Sequence, residues 1–312
     1  MFDKSGIFSK DAFHPADFGL ETWKRILLRS KDRLADDRIT FIGAAVALFC
    51  LLGLIPLLSA LVGIFGVFTS QDQAMTIVDN FEGMVPPEAL SLIREQMREL
   101  TTSNTSIGIS SFVSILVALW GGSKAMDAFM TAINMAYHED EDRNFIKRKA
   151  VGLILTLGTV LVVAGGTTLL IWANLLEGAA RGTFLILKWP LIILGLMLWL
   201  SVMYRYAPNR RDAKWRWISH GSIVSTLLWV AASYLFSLYV SNFGNYNETH
   251  GSLGAVIVLI LWIYLSAVSL IIGAVVNAEM ELETGVDTTK GECLPKGERG
   301  AYVADNKAAA KS

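Results

Sequence analysis

Residues 249–278 read THGSLGAVIVLILWIYLSAVSLIIGAVVNA, thirty positions between Glu248 and Glu279 without one Asp, Glu, Lys or Arg. A helix rises about 1.5 Å per residue, so about 20 apolar residues cross a hydrocarbon core about 30 Å thick. This run is longer than that. Working outward from it, further charge-free runs lie between Arg38 and Asp72, Glu99 and Lys124, Lys149 and Glu177, Lys188 and Arg205, and Arg216 and Glu248. The Lys188 run is short, and reaches full length from about Arg181 if the Lys188 ammonium snorkels to the interface. The sequence therefore predicts an all-α polytopic membrane protein with six transmembrane helices.

The charges that remain are sorted by side. Of 312 residues, 53% are hydrophobic and only 18% charged, against about 25% in soluble domains. Lys and Arg number eight up to Arg38, five from Lys124 to Lys149, five from Arg205 to Arg216 and five after Glu279, which leaves Arg94, Arg98, Arg181 and Lys188 for the other face. Short cytoplasmic connections retain Lys and Arg, so the N- and C-termini are expected to be cytoplasmic. The net charge of −1 conceals this polarisation and excludes an evenly basic nucleic-acid-binding surface. With no apolar h-region among the first 38 residues, the first span is expected to act as an uncleaved anchor.

Three further segments complete the expected organisation. Residues 1–38 form a basic cytoplasmic tail, in which Leu20, Trp23, Leu27 and Leu34 repeat at helical spacing among Lys and Arg. That pattern reads equally as a helix lying on the anionic inner leaflet or as a cap packed on the bundle. Within the membrane domain, 39–282, the acidic connection 69–106 carries two apolar stripes separated by Pro86-Pro87, which predicts an amphipathic external helical hairpin. Residues 283–312 read as a disordered polar cytoplasmic tail.

Little in the sequence supports catalysis. Cys50 and Cys293 are too few and too far apart for a disulfide framework or a cysteine metal site. The run His138 to Asp142 begins like a zincin helix but has Asp142 where the second His should stand. Neither a nucleophile elbow nor a nucleotide-binding loop is found, so no catalytic residue, metal ligand or cofactor is assigned. Polar residues at membrane depth carry more weight, because each is costly unless it faces protein or water. The loop 204–217 packs five cations with four aromatics. That mixture occurs in single-strand nucleic-acid grooves, but at this location the membrane interface selects it, so anionic headgroups and no nucleic acid are the expected partners. The acids of 277–283 are expected to bridge to the same loop. Asn242, Asn245 and Tyr246 offer neutral hydrogen-bonding groups for an external mouth, though a tight hydrogen-bonded turn accounts for them more simply.

Several of these segments resemble the YihY/BrkB family of bacterial inner-membrane proteins, once labelled ribonuclease BN. The match rests on ALWGGSK (118–124) with Ala132-Ile-Asn134 and 143–148, on YRYAPNRR (204–211), SLYVSNFGNY (237–246) and GSLGAV (251–256), and on Gly273-Ala with Asn277-Ala-Glu279. It covers about Arg38 to Leu282 and departs at His250 and at Gly53 to Pro56. The resemblance implies a six-helix inner-membrane fold with links to virulence and envelope integrity, and a transport role is an expectation from that class. The combined reading is a translocator of an anionic or amphiphilic envelope lipid or related solute. Arg205, Asn209, Arg210 and Arg211 would meet the headgroup, Lys124 and Arg143 would assist, and Asn174, Glu177 and Lys188 would be polar stations at the outer end. A non-catalytic envelope scaffold is the alternative, and a membrane-bound ribonuclease stands last. Oligomeric state is not legible.

Overall fold

The computed structural model describes residues 14–36, 39–65, 109–175, 178–242 and 252–308, with scattered positions between 79 and 98. Seven long helices occupy most of them: α1 Leu20–Asp36, α2 Ile39–Phe65, α3 Ile109–Ala136, α4 Phe145–Leu175, α5 Gly178–Tyr206, α6 Trp215–Asn242 and α7 Ser252–Glu283. Among the described residues the extended structure amounts to one bridge, Ala213 to Thr289. Four helical stretches, 145–166, 186–206, 215–240 and 254–283, are long and apolar enough to cross a membrane over these residues. Their outward side chains, among them Ile154, Leu161, Ile186, Leu227 and Leu235, are exposed. A surface so broadly apolar needs hydrocarbon around it.

The apolar α7 is the axis of the bundle, against α1, α2, α3 and α6, with a third (33%) of its span buried, against 17% in α4 and in α5. Small residues set the closest approaches, since close packing joins helices in lipid. Gly53 of α2 lies on Gly121 and Gly122 of α3, and Gly221 of α6 lies on Gly273 of α7. Gly43 and Gly158 also sit at contacts, against Val268 and Trp199 respectively, whereas Gly165 and Gly166 have no neighbour where a Cβ would stand.

Of the two readings of α1, packing on the bundle is present: Ile26 is fully buried with Phe18, Trp217, Val276 and Met280, and Trp23 packs beside them. The stripe read from the sequence is divided: Trp23 and Leu34 turn inward, Leu20 and Leu27 outward.

The tail is not a disordered end. Residues 284–308 fold back on the α5–α6 loop, with backbone bonds from Arg211 to Gly300 O (2.8 Å), Lys214 to Thr288 O (2.8 Å) and Lys290 to Asp212 O (2.7 Å). The Asp287 carboxylate accepts from the Thr289 N–H and hydroxyl and from the Leu294 N–H, and Arg299 donates to Leu294 O and Ala304 O. Such side-chain-to-backbone bonds leave no mark on hydropathy, so the composition misled. Of the described positions of the proposed cap, Pro87, Leu90 and Ile93 to Glu95 are helical, and Pro86 is not. The rest of 69–106 lies outside the described residues.

Burial alone would raise the Asp287 pKa, but the donors at Leu294 and Thr289 outweigh it and hold the carboxyl below its usual value. A depressed carboxylate contributes stability that is complete above its unfolded value, about 3.9, and is lost as pH falls through the lower folded value. The protection of the Leu294 and Thr289 amides, relative to unstructured amides at the same pH, is therefore expected to hold at pH 7 and to fall only below about pH 4. Asp287→Asn should remove that protection at pH 7. Unaltered exchange in the variant would refute the role given to this carboxylate.

Candidate functional site

Two places in the fold collect polar or cavity-forming side chains. The first is the end of the bundle where α3, α5 and α7 stop and α4 and α6 begin. Along α7, Glu279 and Glu283 are four residues apart and share a face, while Glu281, about 200° round the helix, points the other way. Each side has its own cations. Arg29 bridges Glu279 and Glu283, both at 2.7 Å, and Arg25 approaches Glu283 at 3.5 Å. Arg33 binds Glu279 at 3.2 Å and donates to Ala136 O and Met135 O at the end of α3.

On the opposite face Arg210 grips Glu281 with two bonds of 3.1 and 2.7 Å, its guanidinium 4.7 Å from the Tyr137 ring centre. Both side chains are out of water, at 1% and 0% exposure. Thr288 gives Glu281 a further hydrogen bond of 2.5 Å. Burial alone would depress the Arg210 pKa, but the Glu281 carboxylate overrides it and raises the value.

A second clasp joins the α3–α4 and α5–α6 loops. Asn134 receives the Asn209 N–H at 2.7 Å and donates to Glu141 at 2.9 Å. Arg143 meets both Glu141 oxygens at 2.6 Å and Ala207 O at 2.8 Å, and Asn209 reaches Asp140 O at 2.8 Å. Burial works against the Glu141 charge, yet Arg143 and Asn134 hold its carboxyl below the usual value. His138, at φ 55°, ends α3 in the left-handed conformation, with Glu139 N–H bonded to Asn134 O and His138 N–H to Met135 O. That is a Schellman stop, so the residue that looked like half a zincin motif terminates a helix.

The expected headgroup residues are therefore committed elsewhere. Arg210 and Arg143 are buried in ion pairs, and Asn209 is held in the loop clasp. Arg205 is 3% exposed, stacked 4.6 Å from the Trp215 ring and 3.8 Å from Asp212. Arg211 reaches Glu292 O at 3.4 Å. The second clasp brings Asn209 and Arg143 together, with Arg210 next in sequence held by Glu281, but not Lys124, about 15 Å of helical rise before Asn134. Nor does it include Lys188, which lies 5.6 Å from the Trp189 ring centre. The side chains of Asn174 and Asn242, and all of Glu177, Asn245 and Tyr246, lie outside the described residues. The bridge expected from the 277–283 acids to the 205–216 loop is present as Arg210–Glu281. Its counterpart to α1 was missed, although Arg25, Arg29 and Arg33 repeat every four residues, as Glu279 and Glu283 do. Matching stripes say that two faces suit each other, but not that they meet.

The second place is a cavity of about 410 Å³ in the other half of the bundle. Its walls are Pro86 and Leu90 from the connection, Trp189, Ile193 and Leu196 from α5, and Trp229 and Val230 from α6. Polar groups are few: Arg94, paired to Asp79 at 2.9 Å, and the hydroxyls of Ser233, Tyr234 and Ser237. An apolar chamber of this size with a few polar groups is the usual form of a small-ligand site. Among the described residues no three His, Cys, Asp or Glu side chains are placed to hold a metal ion.

A family model described as virulence factor BrkB matches residues 30–294. The chain belongs to the BrkB family. BrkB-type relatives include the putative ribonuclease-like protein YfkH of Bacillus subtilis, 32% identical over 75% of this chain and 87% of its own length. Another is a UPF0761 membrane protein of Idiomarina loihiensis, 28% identical over 64% of this chain and 70% of its own. A UPF0761 membrane protein of Alteromonas mediterranea is 26% identical over 85% and 90% respectively. No solved structure matches. In this BrkB chain the YRYAPNRR block supplies Tyr204, Asn209 and Arg210, and Asn134 and Asn277 lie in the other matching blocks. All five make buried or half-buried contacts that join helices and loops.

Proposed function

We propose that this BrkB-family protein is a six-span inner-membrane protein, with both termini cytoplasmic, that moves an anionic amphiphile such as an envelope lipid between the leaflets. The observation that carries the reading is the 410 Å³ cavity, apolar along α5 and α6 and with Arg94 beside it. An acyl chain suits its walls, and Arg94, whose pair with Asp79 is open to solvent rather than buried like Arg210–Glu281, can exchange that carboxylate for an anionic head. The 23-to-4 split of Lys and Arg supports an orientation with this cavity toward the outer face and the arginine network toward the cytoplasm. The reading thus moves the headgroup contact from Arg205, Arg210 and Arg211 to Arg94.

Purified protein reconstituted in vesicles is expected to accelerate exchange of labelled phosphatidylglycerol between leaflets. Ser233→Phe, which fills the cavity, should abolish the acceleration, and Arg94→Gln should reduce it about tenfold, the equivalent of one charge-assisted hydrogen bond of about 1.4 kcal/mol. Exchange no faster than in empty vesicles would refute the proposal. A non-catalytic scaffold is the second reading, favoured by the ion-paired cytoplasmic end. It predicts no exchange, together with a stoichiometric partner recovered by crosslinking at the 284–308 segment.

A further inference from the structure

α1 segregates its two kinds of cation. Arg25, Arg29 and Arg33 turn toward Glu279 and Glu283, and planar guanidinium forks suit such carboxylate pairs. Lys24 and Lys31 turn the opposite way, among Leu20 (89% exposed), Leu27 (53%) and Leu28 (52%). Positions 20, 24, 27, 28 and 31 are separated by four, three, one and three residues, so they form one continuous stripe. An unpaired apolar stripe edged by two lysines is poorly suited to water. It is the pattern of a helix seated in a charged lipid interface, where lysine stems lie along the acyl chains and the ammonium groups reach phosphate.

The surroundings agree. α1 departs from the axis of α2 by 68°, so if α2 runs across the bilayer α1 lies near the membrane plane. At the same end of the bundle the first turns of α2 and α4 expose Phe41 (77%), Phe145 (74%) and Ile146 (78%). These mark an apolar level that the α1 stripe continues.

We propose that the outer face of α1 is a binding surface for anionic membrane lipid, and that α1 is clamped between the α7 carboxylates on one side and headgroups on the other. The proposal needs only insertion in a membrane and does not rest on lipid translocation or on the cavity. Two lysines near an anionic surface contribute about 1 kcal/mol each, about fivefold in affinity apiece.

The test uses the full chain in nanodiscs, with an environment-sensitive fluorophore on Leu28→Cys in a Cys50→Ala, Cys293→Ser background. In discs containing phosphatidylglycerol the emission is expected to shift to the blue and to be quenched by spin-labelled lipid. Lys24→Gln with Lys31→Gln should weaken that quenching about 25-fold when it is titrated against anionic lipid fraction. The size-exclusion profile reports that the variant remains folded. Water-like emission in both neutral and anionic discs would overturn the proposal. So would a blue shift without lipid quenching, whether in a dimer, where a second copy covers the stripe, or in a monomer.

Discussion

Arg210→Ala is expected to destabilise the protein by about 3–5 kcal/mol, the usual cost of removing one partner from a buried ion pair. The Glu281 carboxylate, wholly shielded from water, would retain a single donor, the Thr288 hydroxyl. The face of Tyr137 would lose the guanidinium stacked over it. Fluorescence-monitored unfolding in detergent, with SDS or heat, would measure the loss. The double replacement Arg210→Met, Glu281→Leu should recover most of it, because a buried pair replaced by apolar side chains of similar volume is often neutral. A single variant within 1 kcal/mol of the parent would show that Arg210 is not buried against Glu281. A free, headgroup-facing Arg210 makes that opposite prediction, since truncating an exposed cation rarely changes stability by more than about 0.5 kcal/mol.

Gly273→Ala is expected to cost about 3 kcal/mol, the upper end of the range for an overpacked core. An added Cβ would overlap Ser225 Oγ and the Gly221 carbonyl and stand 2.7 Å from the Tyr204 hydroxyl. A backbone carbonyl cannot rotate aside as a side chain can, so α6 and α7 would have to separate. Separation would break the bonds linking Tyr204 to Ser225 (2.6 Å) and Leu270 O (2.5 Å), and Asn277 to Gly221 N–H (2.7 Å) and Ile218 O (3.1 Å). Gly165→Ala is the control. It adds the same methyl where nothing lies within 4 Å, and helix propensity favours alanine by up to about 1 kcal/mol. Equal unfolding midpoints for the two variants would contradict the close approach at Gly273.

Both predictions concern residues whose importance was visible in sequence while their role was not. Arg210 and Gly273 each stand in a segment resembling the YihY/BrkB pattern, and hydropathy could place Arg210 in a connection and Gly273 inside a span. Arginine beside tyrosine in a cytoplasmic loop has the same one-dimensional signature whether it meets a phosphate or a carboxylate 71 residues away. The same holds for α1, where four-residue spacing marks a face without naming what touches it. The cavity left no signal at all. Trp189, Leu90 and Trp229 are separated by 40 residues or more, and only folding brings them around one space.

The sequence by itself determined what depends on composition over a helical length: that long apolar helices span a membrane, roughly where they begin and end, and how positive charge is distributed among the connections. Hydrocarbon leaves no choice there, because every backbone polar group must be bonded within the helix and every charge must lie near an end. The tertiary structure alone decided which polar ends meet. It drew Arg210 and Arg143 into internal clasps, ordered a tail through backbone bonds to the α5–α6 loop and the side chains of Asp287 and Arg299, and divided α1 into an inward arginine face and an outward lysine face. Those outcomes depend on pair geometry across 64 to 250 residues of chain, where a carboxylate competes with phosphate and water for each guanidinium, and on packing that brings one partner within reach.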